Sequence, residues 1–165
     1  MTSLVTESLL TTKLYVPQPV PSLVPRPRLN KQLEEGSGHK LTLVSAPAGF
    51  GKTTLLSEWR MMRLGREWPV GWISLDAGDN DPVLFFSYLV AALRVVQAGI
   101  GEAPLALLQS PQGPPLRSVL AILVNELAAI DKDFALVLDD YHVIENRTIH
   151  DAIGFLLDRM PPLKR

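Results

Sequence analysis

Residues 41–56, LTLVSAPAGFGKTTLL, constrain this chain more than any other stretch. Leu41, Leu43 and Val44 form a short run of strand formers, small residues and glycines follow, and Lys52-Thr53-Thr54 opens a pattern with helical spacing. Strand, glycine-bearing loop, Lys-Thr and helix together make the arrangement that cradles a nucleotide's phosphates. The candidate nucleotide-binding element is therefore Ala46, Pro47, Ala48, Gly49, Phe50, Gly51, Lys52, Thr53 and Thr54. Backbone N–H groups from about Gly49 to Thr54 would converge on phosphate oxygens, helped by the positive end of the following helix. Lys52 would reach the β- and γ-phosphates as a point charge, and the Thr53 hydroxyl would sit on Mg²⁺.

The template G-x-x-x-x-G-K-[ST] places a glycine where this chain has Ala46, while Gly51, Lys52 and Thr53 all match. Alanine is the smallest replacement and enters a tight turn if φ stays negative. Gly49 adds freedom for a left-handed turn inside the loop. An ordinary strand-to-helix loop with a surface lysine would look similar, so a second signal is needed.

Phe134-Ala135-Leu136-Val137-Leu138-Asp139-Asp140 supplies it. An unbroken apolar run reads as a strand buried on both faces, as in a parallel α/β sheet. Ligands bind at the C-terminal ends of such strands, so Asp139 is expected to hold the Mg²⁺ that Thr53 also touches. Asp140 would then lie near the γ-phosphate, where a carboxylate orients or deprotonates the attacking water. His142 follows closely, but a solvated or packed histidine is the plainer reading.

The rest of the chain is consistent with one domain: 165 residues, 47% hydrophobic and 20% charged. A net charge of −1 and a pI near 6.3 give no footprint for nucleic acid or an anionic membrane. Cysteine is absent, which removes disulfides and thiolate metal sites. The start of the chain lacks a secretory signal pattern, and no apolar stretch reaches membrane-spanning length. A soluble, cytoplasmic protein is the expectation.

Pro17, Pro19, Pro21, Pro25 and Pro27 make residues 1–30 an extended segment lying over the surface of the downstream domain. Leu23-Val24-Pro25-Arg26-Pro27-Arg28-Leu29 sets apolar anchors around two arginines, which suggests docking near something anionic. Asn30–Glu35 is expected to be a short helix stopped by Gly36-Ser37-Gly38. The apolar spacing predicts a helix over Lys52–Met62 with Leu55, Leu56, Trp59 and Met62 inward, ended at Leu64-Gly65. Strand two is Val70–Leu75. Asp76, Asp79 and Asp81 invite a metal reading, but the calcium-loop template fails, and Asp81 reads better as a cap with Pro82 at the first helical position. A helix over Pro82–Gln97 buries Phe85, Leu89, Ala92, Leu93 and Val96, a second over Leu116–Ile130 follows the loop Gln109–Pro115, and Asn146 or Thr148 caps a last one stopped by Pro161-Pro162.

Several stretches together resemble one family: TKLYVP near the start, LVPRPRL at 23–29, SAPAGFGKTTL at 45–55, WISLDAGDNDPVLFFSYLVAAL at 72–93 and LVLDDYHVI at 136–144. They resemble the nucleotide-binding region of the MalT-like, LuxR-type large ATP-binding transcriptional regulators, signal-transduction ATPases with numerous domains. Alanine at position 46 is usual in that family. The resemblance implies a P-loop NTPase fold, α/β with three αβα layers, in which Val24 and Arg26 line the adenine pocket and Asp139 and Asp140 are the Walker B pair. It also implies a sheet of strand order 5-1-4-3-2. Only three of about five core strands are then expected here, Leu41–Ser45, Val70–Leu75 and 134–139, with a gap in mid-sheet that leaves backbone groups unpaired. Residues 1–38 would pack near the nucleotide site, and 39–165 would be a partial NTPase domain. The chain is expected to be the N-terminal part of a longer regulator that self-associates and contacts DNA through a C-terminal domain.

On this basis the expected function is a slow, Mg²⁺-dependent ATPase switch with Lys52 and Asp140 as its catalytic residues. A small-molecule or nucleotide kinase on the same scaffold is the alternative, though no arginine-bearing lid is visible. A non-catalytic remnant that only binds partners is a third.

Overall fold

The computed structural model describes residues 9–18, 24–63 and 68–161. The expected helix stop at Leu64-Gly65, the Leu23 anchor and the Pro162 stop lie outside these residues. The fold is α/β, built on a parallel two-stranded sheet of β1 (Val70–Ser74) and β2 (Ala135–Asp139). Trp72 pairs with Val137 and Ser74 with Asp139. Parallel neighbours need a long crossover, and here it carries α3 (Pro82–Leu93), α4 (Glu102–Leu108) and α5 (Leu116–Ala128). Before the sheet come α1 (Pro27–Gly36) and α2 (Lys52–Arg63), and after it α6 (Arg147–Arg159).

Strand side chains alternate between faces, and this alternation sorts the core into two layers. Val70, Trp72 and Val137 point one way, packing with Leu33 of α1 and Leu55 and Trp59 of α2. Ile73 points the other way into the larger cluster, with Phe85 and Leu89 of α3, Leu120 and Leu123 of α5, and Ile149 of α6. Gly71 is needed on that second face, because a Cβ there would sit 2.7 Å from the Ala92 carbonyl oxygen of α3. Apolar burial of this kind contributes roughly 25 cal/mol per Å² and is what holds the helices to so small a sheet.

The expected strand Leu41–Ser45 is not one, so the described sheet has two strands rather than three. Residues 41–47 carry no regular secondary structure, with Leu41 63% and Leu43 82% exposed. A strand exists only through its ladder. In the order 5-1-4-3-2 that the resemblance implies, this stretch would pair with strands four and five, neither of which occurs among the described residues. The same order puts strand two beside strand three, as β1 lies beside β2.

Other boundaries shift for local reasons. Pro27 occupies the first turn of α1, where its missing N–H costs nothing, so the helix starts three residues earlier than expected. Thr11–Leu14 form a short 3₁₀ turn within the segment expected to be extended. Met62 is exposed, and Arg63 takes the inward place at the end of α2, donating to both Glu34 carboxylate oxygens at 2.7 and 3.0 Å. The helix after Pro82 ends at Leu93, and α4 follows Gly101 at φ 73°, a left-handed turn glycine permits. β2 is only partly enclosed: Val137 and Asp139 are buried, and Ala135, Leu136 and Leu138 are half-buried. Asp81 and Asn146 do cap α3 and α6, accepting from the N–H groups of Leu84 and Thr148.

Candidate functional site

The parity that sorts the core also builds the site. Asp139 shares its face of β2 with Ala135 and Val137, which puts its carboxylate toward α2 at the strand's C-terminal end. Thr53 stands in the first turn of α2, and its hydroxyl donates to the Asp139 carboxylate, 2.8 Å from Oδ2 and 3.1 Å from Oδ1. Two motifs separated by 86 positions thus meet at one point.

The loop before α2 turns through Gly49 at φ 80° and Gly51 at φ 75°, a conformation that disfavours any side chain. It presents Ala48, Gly49 and Phe50 to solvent. Lys52 is folded back on its own loop, its Nζ donating to the carbonyls of Ala46 at 2.9 Å and Pro47 at 3.2 Å. Arg26 closes over the loop from outside, its Nη1 donating to the Phe50 carbonyl at 2.9 Å. Its guanidinium lies so near Gly51 that a Cβ there would be 3.2 Å from Nη2. Val24, expected beside Arg26 on the adenine, is 78% exposed. Thr54 is half-buried behind Thr53 in the same turn.

Burial raises the pKa of Asp139 above the ordinary carboxylate value, and the charge of Asp140 pushes the same way. The Thr53 hydrogen bond and the charge of Lys52 oppose this without cancelling it. Such a carboxylate gains from a divalent cation, which removes the cost of its desolvated charge. Asp140 is exposed at φ 58°, the left-handed region, with His142 Nδ1 3.8 Å from its carboxylate. Among the described residues no group of three or more His, Cys, Asp or Glu is placed to hold a metal. Mg²⁺ held by one carboxylate and one hydroxyl, with phosphate oxygens and water completing the shell, needs no such group. Asp76 and Asp79, the other candidate carboxylates, instead form a capping box at the turn Ala77–Asn80.

One element escaped sequence reasoning. Lys13 Nζ donates to both Asp79 oxygens at 2.8 and 2.7 Å and pairs with Asp76 at 2.8 Å, pinning the N-terminal segment behind β1. Asp79 is fully buried, so it requires this cation. Burial alone would lower the Lys13 ammonium, but bonds and charge from Asp76 and Asp79 outweigh it and hold its pKa above the ordinary lysine value. The only signal in the sequence was a lysine within TKLYVP, far from any carboxylate that it meets in the fold.

No family model matches the chain. Over 153 residues, 93% of its length, it is 40% identical to proteins named HTH-type transcriptional regulator MalT from Cronobacter sakazakii and from two strains of Klebsiella pneumoniae. Among the described residues no helix is long and apolar enough to cross a membrane. The chain spans 16% of the length of these curated relatives, and 93% of it is similar to one stretch of them.

Proposed function

We propose that the chain is the ATP-binding and slowly hydrolysing switch module of a LuxR/MalT-type transcriptional regulator, with a P-loop NTPase fold and a partial NTPase domain over 39–165. The observation that carries this reading is the Thr53–Asp139 hydrogen bond, which joins the phosphate-loop motif to the strand-end carboxylate. Helices on both faces of a parallel sheet, with the site at the strands' C-terminal ends, support it further.

In this reading Thr53 and Asp139 hold Mg²⁺, which when bound neutralises charge on the transferred phosphoryl group. Lys52 exchanges its loop carbonyls for phosphate oxygens, trading neutral acceptors for charged ones. Asp140, exposed and one residue beyond the metal ligand, orients the attacking water. Arg26, which closes over the loop, would line the adenine pocket together with Val24. ATP·Mg²⁺ favours a form competent to self-associate, hydrolysis resets it, and DNA is contacted through a further domain.

Turnover of ATP by the 165-residue chain, measured with and without Mg²⁺, tests the proposal. Slow Mg²⁺-dependent phosphate release is expected. Transfer to an added hydroxyl acceptor would point to a kinase, and no turnover with no binding would leave only a partner-binding module.

A further inference from the structure

Asn80 uses all of its amide hydrogen-bonding capacity, and most of it crosses to the segment after β2. Its Nδ2 donates to the Val143 carbonyl at 3.0 Å and to the Ala77 carbonyl at 3.1 Å. Its Oδ1 accepts from the N–H groups of Glu145 at 2.7 Å and Asn146 at 3.0 Å. Its backbone carbonyl accepts from Asn146 Nδ2 at 2.8 Å. An amide has two donors and two acceptor sites, and here all four are filled.

What this clamp holds is the turn that begins at Asp140. Among the described residues Asp140 is the only non-glycine at positive φ, a conformation a free aspartate seldom occupies. It persists because the next residues close a 3₁₀ turn, in which the Val143 N–H donates to the Asp140 carbonyl at 3.1 Å. The Val143 carbonyl is in turn the acceptor for Asn80. Two hydrogen bonds therefore link the Asn80 side chain to the Asp140 backbone. On the other side, Asn80 follows Asp79, which Lys13 and the Asp76 N–H fix in the core. The clamp is anchored on a rigid element and reaches toward a strained one, the arrangement expected where a backbone must be held for chemistry.

We infer that Asn80 is a positioning residue for Asp140: it fixes the turn after β2 and so sets where the Asp140 carboxylate stands relative to Asp139. This inference rests on the reading of Asp140 as the residue that orients water, and it deepens that reading.

Steady-state ATP turnover by the 165-residue chain and its Asn80→Ala and Asn80→Asp variants, with unfolding curves of each, tests it. Asn80→Asp keeps an acceptor for Glu145 and Asn146 but loses the donors to Val143 and Ala77, so it breaks the arm toward Asp140, and the unfolding curves read any cost to the fold. Both variants are expected to lose about tenfold or more in kcat, bounded by the roughly 10²–10⁴ that a positioned acid or base contributes. KM should stay within about threefold, since the phosphate loop is untouched. Unchanged kcat in Asn80→Asp overturns the inference. So does a fall in turnover that only tracks the unfolded fraction, or a parent chain that binds ATP·Mg²⁺ without hydrolysing it. A parent that binds no ATP·Mg²⁺ instead overturns the site reading itself, and is seen before any variant is compared.

Discussion

Replacing Lys13 by alanine should destabilise the fold far more than the loss of a lysine usually does. Asp79 is fully buried and Lys13 keeps only 12% of its side chain exposed, so the carboxylate lies out of water and the ammonium is largely shielded. Deleting the cation leaves a buried carboxylate with the Asp76 N–H as its remaining donor and no countercharge. Breaking a buried pair from one side costs about 3–5 kcal/mol. The surviving Asp76 N–H bond places this case near the lower end of that range, at about 3 kcal/mol. At roughly 2–4 °C per kcal/mol for a chain of this size, the midpoint should fall by about 6–12 °C. Urea unfolding followed by tryptophan fluorescence reads the change directly. The double variant Lys13→Ala/Asp79→Asn should recover part of the loss, because the orphaned charge goes with the cation. A loss under about 1 kcal/mol for Lys13→Ala, typical of an exposed pair, would refute this account of the N-terminal segment.

Stability should also follow pH through this cluster. Hydrogen bonding to Lys13 and to the Gly78 N–H lowers the Asp76 pKa, so its contribution is present above the ordinary carboxylate value and is lost as pH falls through the depressed one. Lys13, raised, contributes fully below the ordinary lysine value and loses that only as pH climbs through its own higher pKa. The stability lost on Lys13→Ala should therefore be flat between these limits; a loss confined to acid would contradict it. At the proposed nucleotide site, protons should compete with Mg²⁺ for Asp139, whose raised pKa would move the competition above the ordinary carboxylate range. Mg²⁺ enhancement of ATP binding should therefore weaken on mild acidification, and Asp139→Asn should abolish both the enhancement and its pH dependence. Asp140→Ala should leave ATP binding intact and slow phosphate release, whereas equal loss of both would contradict its assigned role. Gly51→Ala combines a positive φ with the Arg26 guanidinium overhead, so it should strip ATP binding and cost only about 1–2 kcal/mol of stability.

What the sequence revealed and what it hid divide along the range of the interactions. Caps are local: Asp81 and Pro82 read correctly from their neighbours, and Asn146 proved the cap of the two residues offered for the last helix. Thr53 and Asp139 are distant in the chain, yet each sits in a motif whose chemistry demands the other. The fate of 41–45 was not legible from its composition, because a strand depends on partners, and only the strand order implied by the resemblance pointed to a gap. Lys13–Asp79 and Arg63–Glu34 had no motif at all. A lysine in a proline-bearing leader and an arginine at a helix end look like solvated surface until the fold brings their acids to them. Helix α4 hides behind Gly99 and Gly101, whose positive φ turns the chain between two helices.

Calorimetric titration of the 165-residue chain with ATP, in the presence and absence of Mg²⁺ and alongside Lys52→Ala, bears most directly on whether the phosphate loop and Asp139 form one site. Saturable binding by the parent, tightened by Mg²⁺ and lost in Lys52→Ala, is the expected result. Binding of equal strength by parent and Lys52→Ala, or heat indistinguishable from dilution for the folded parent, would contradict it.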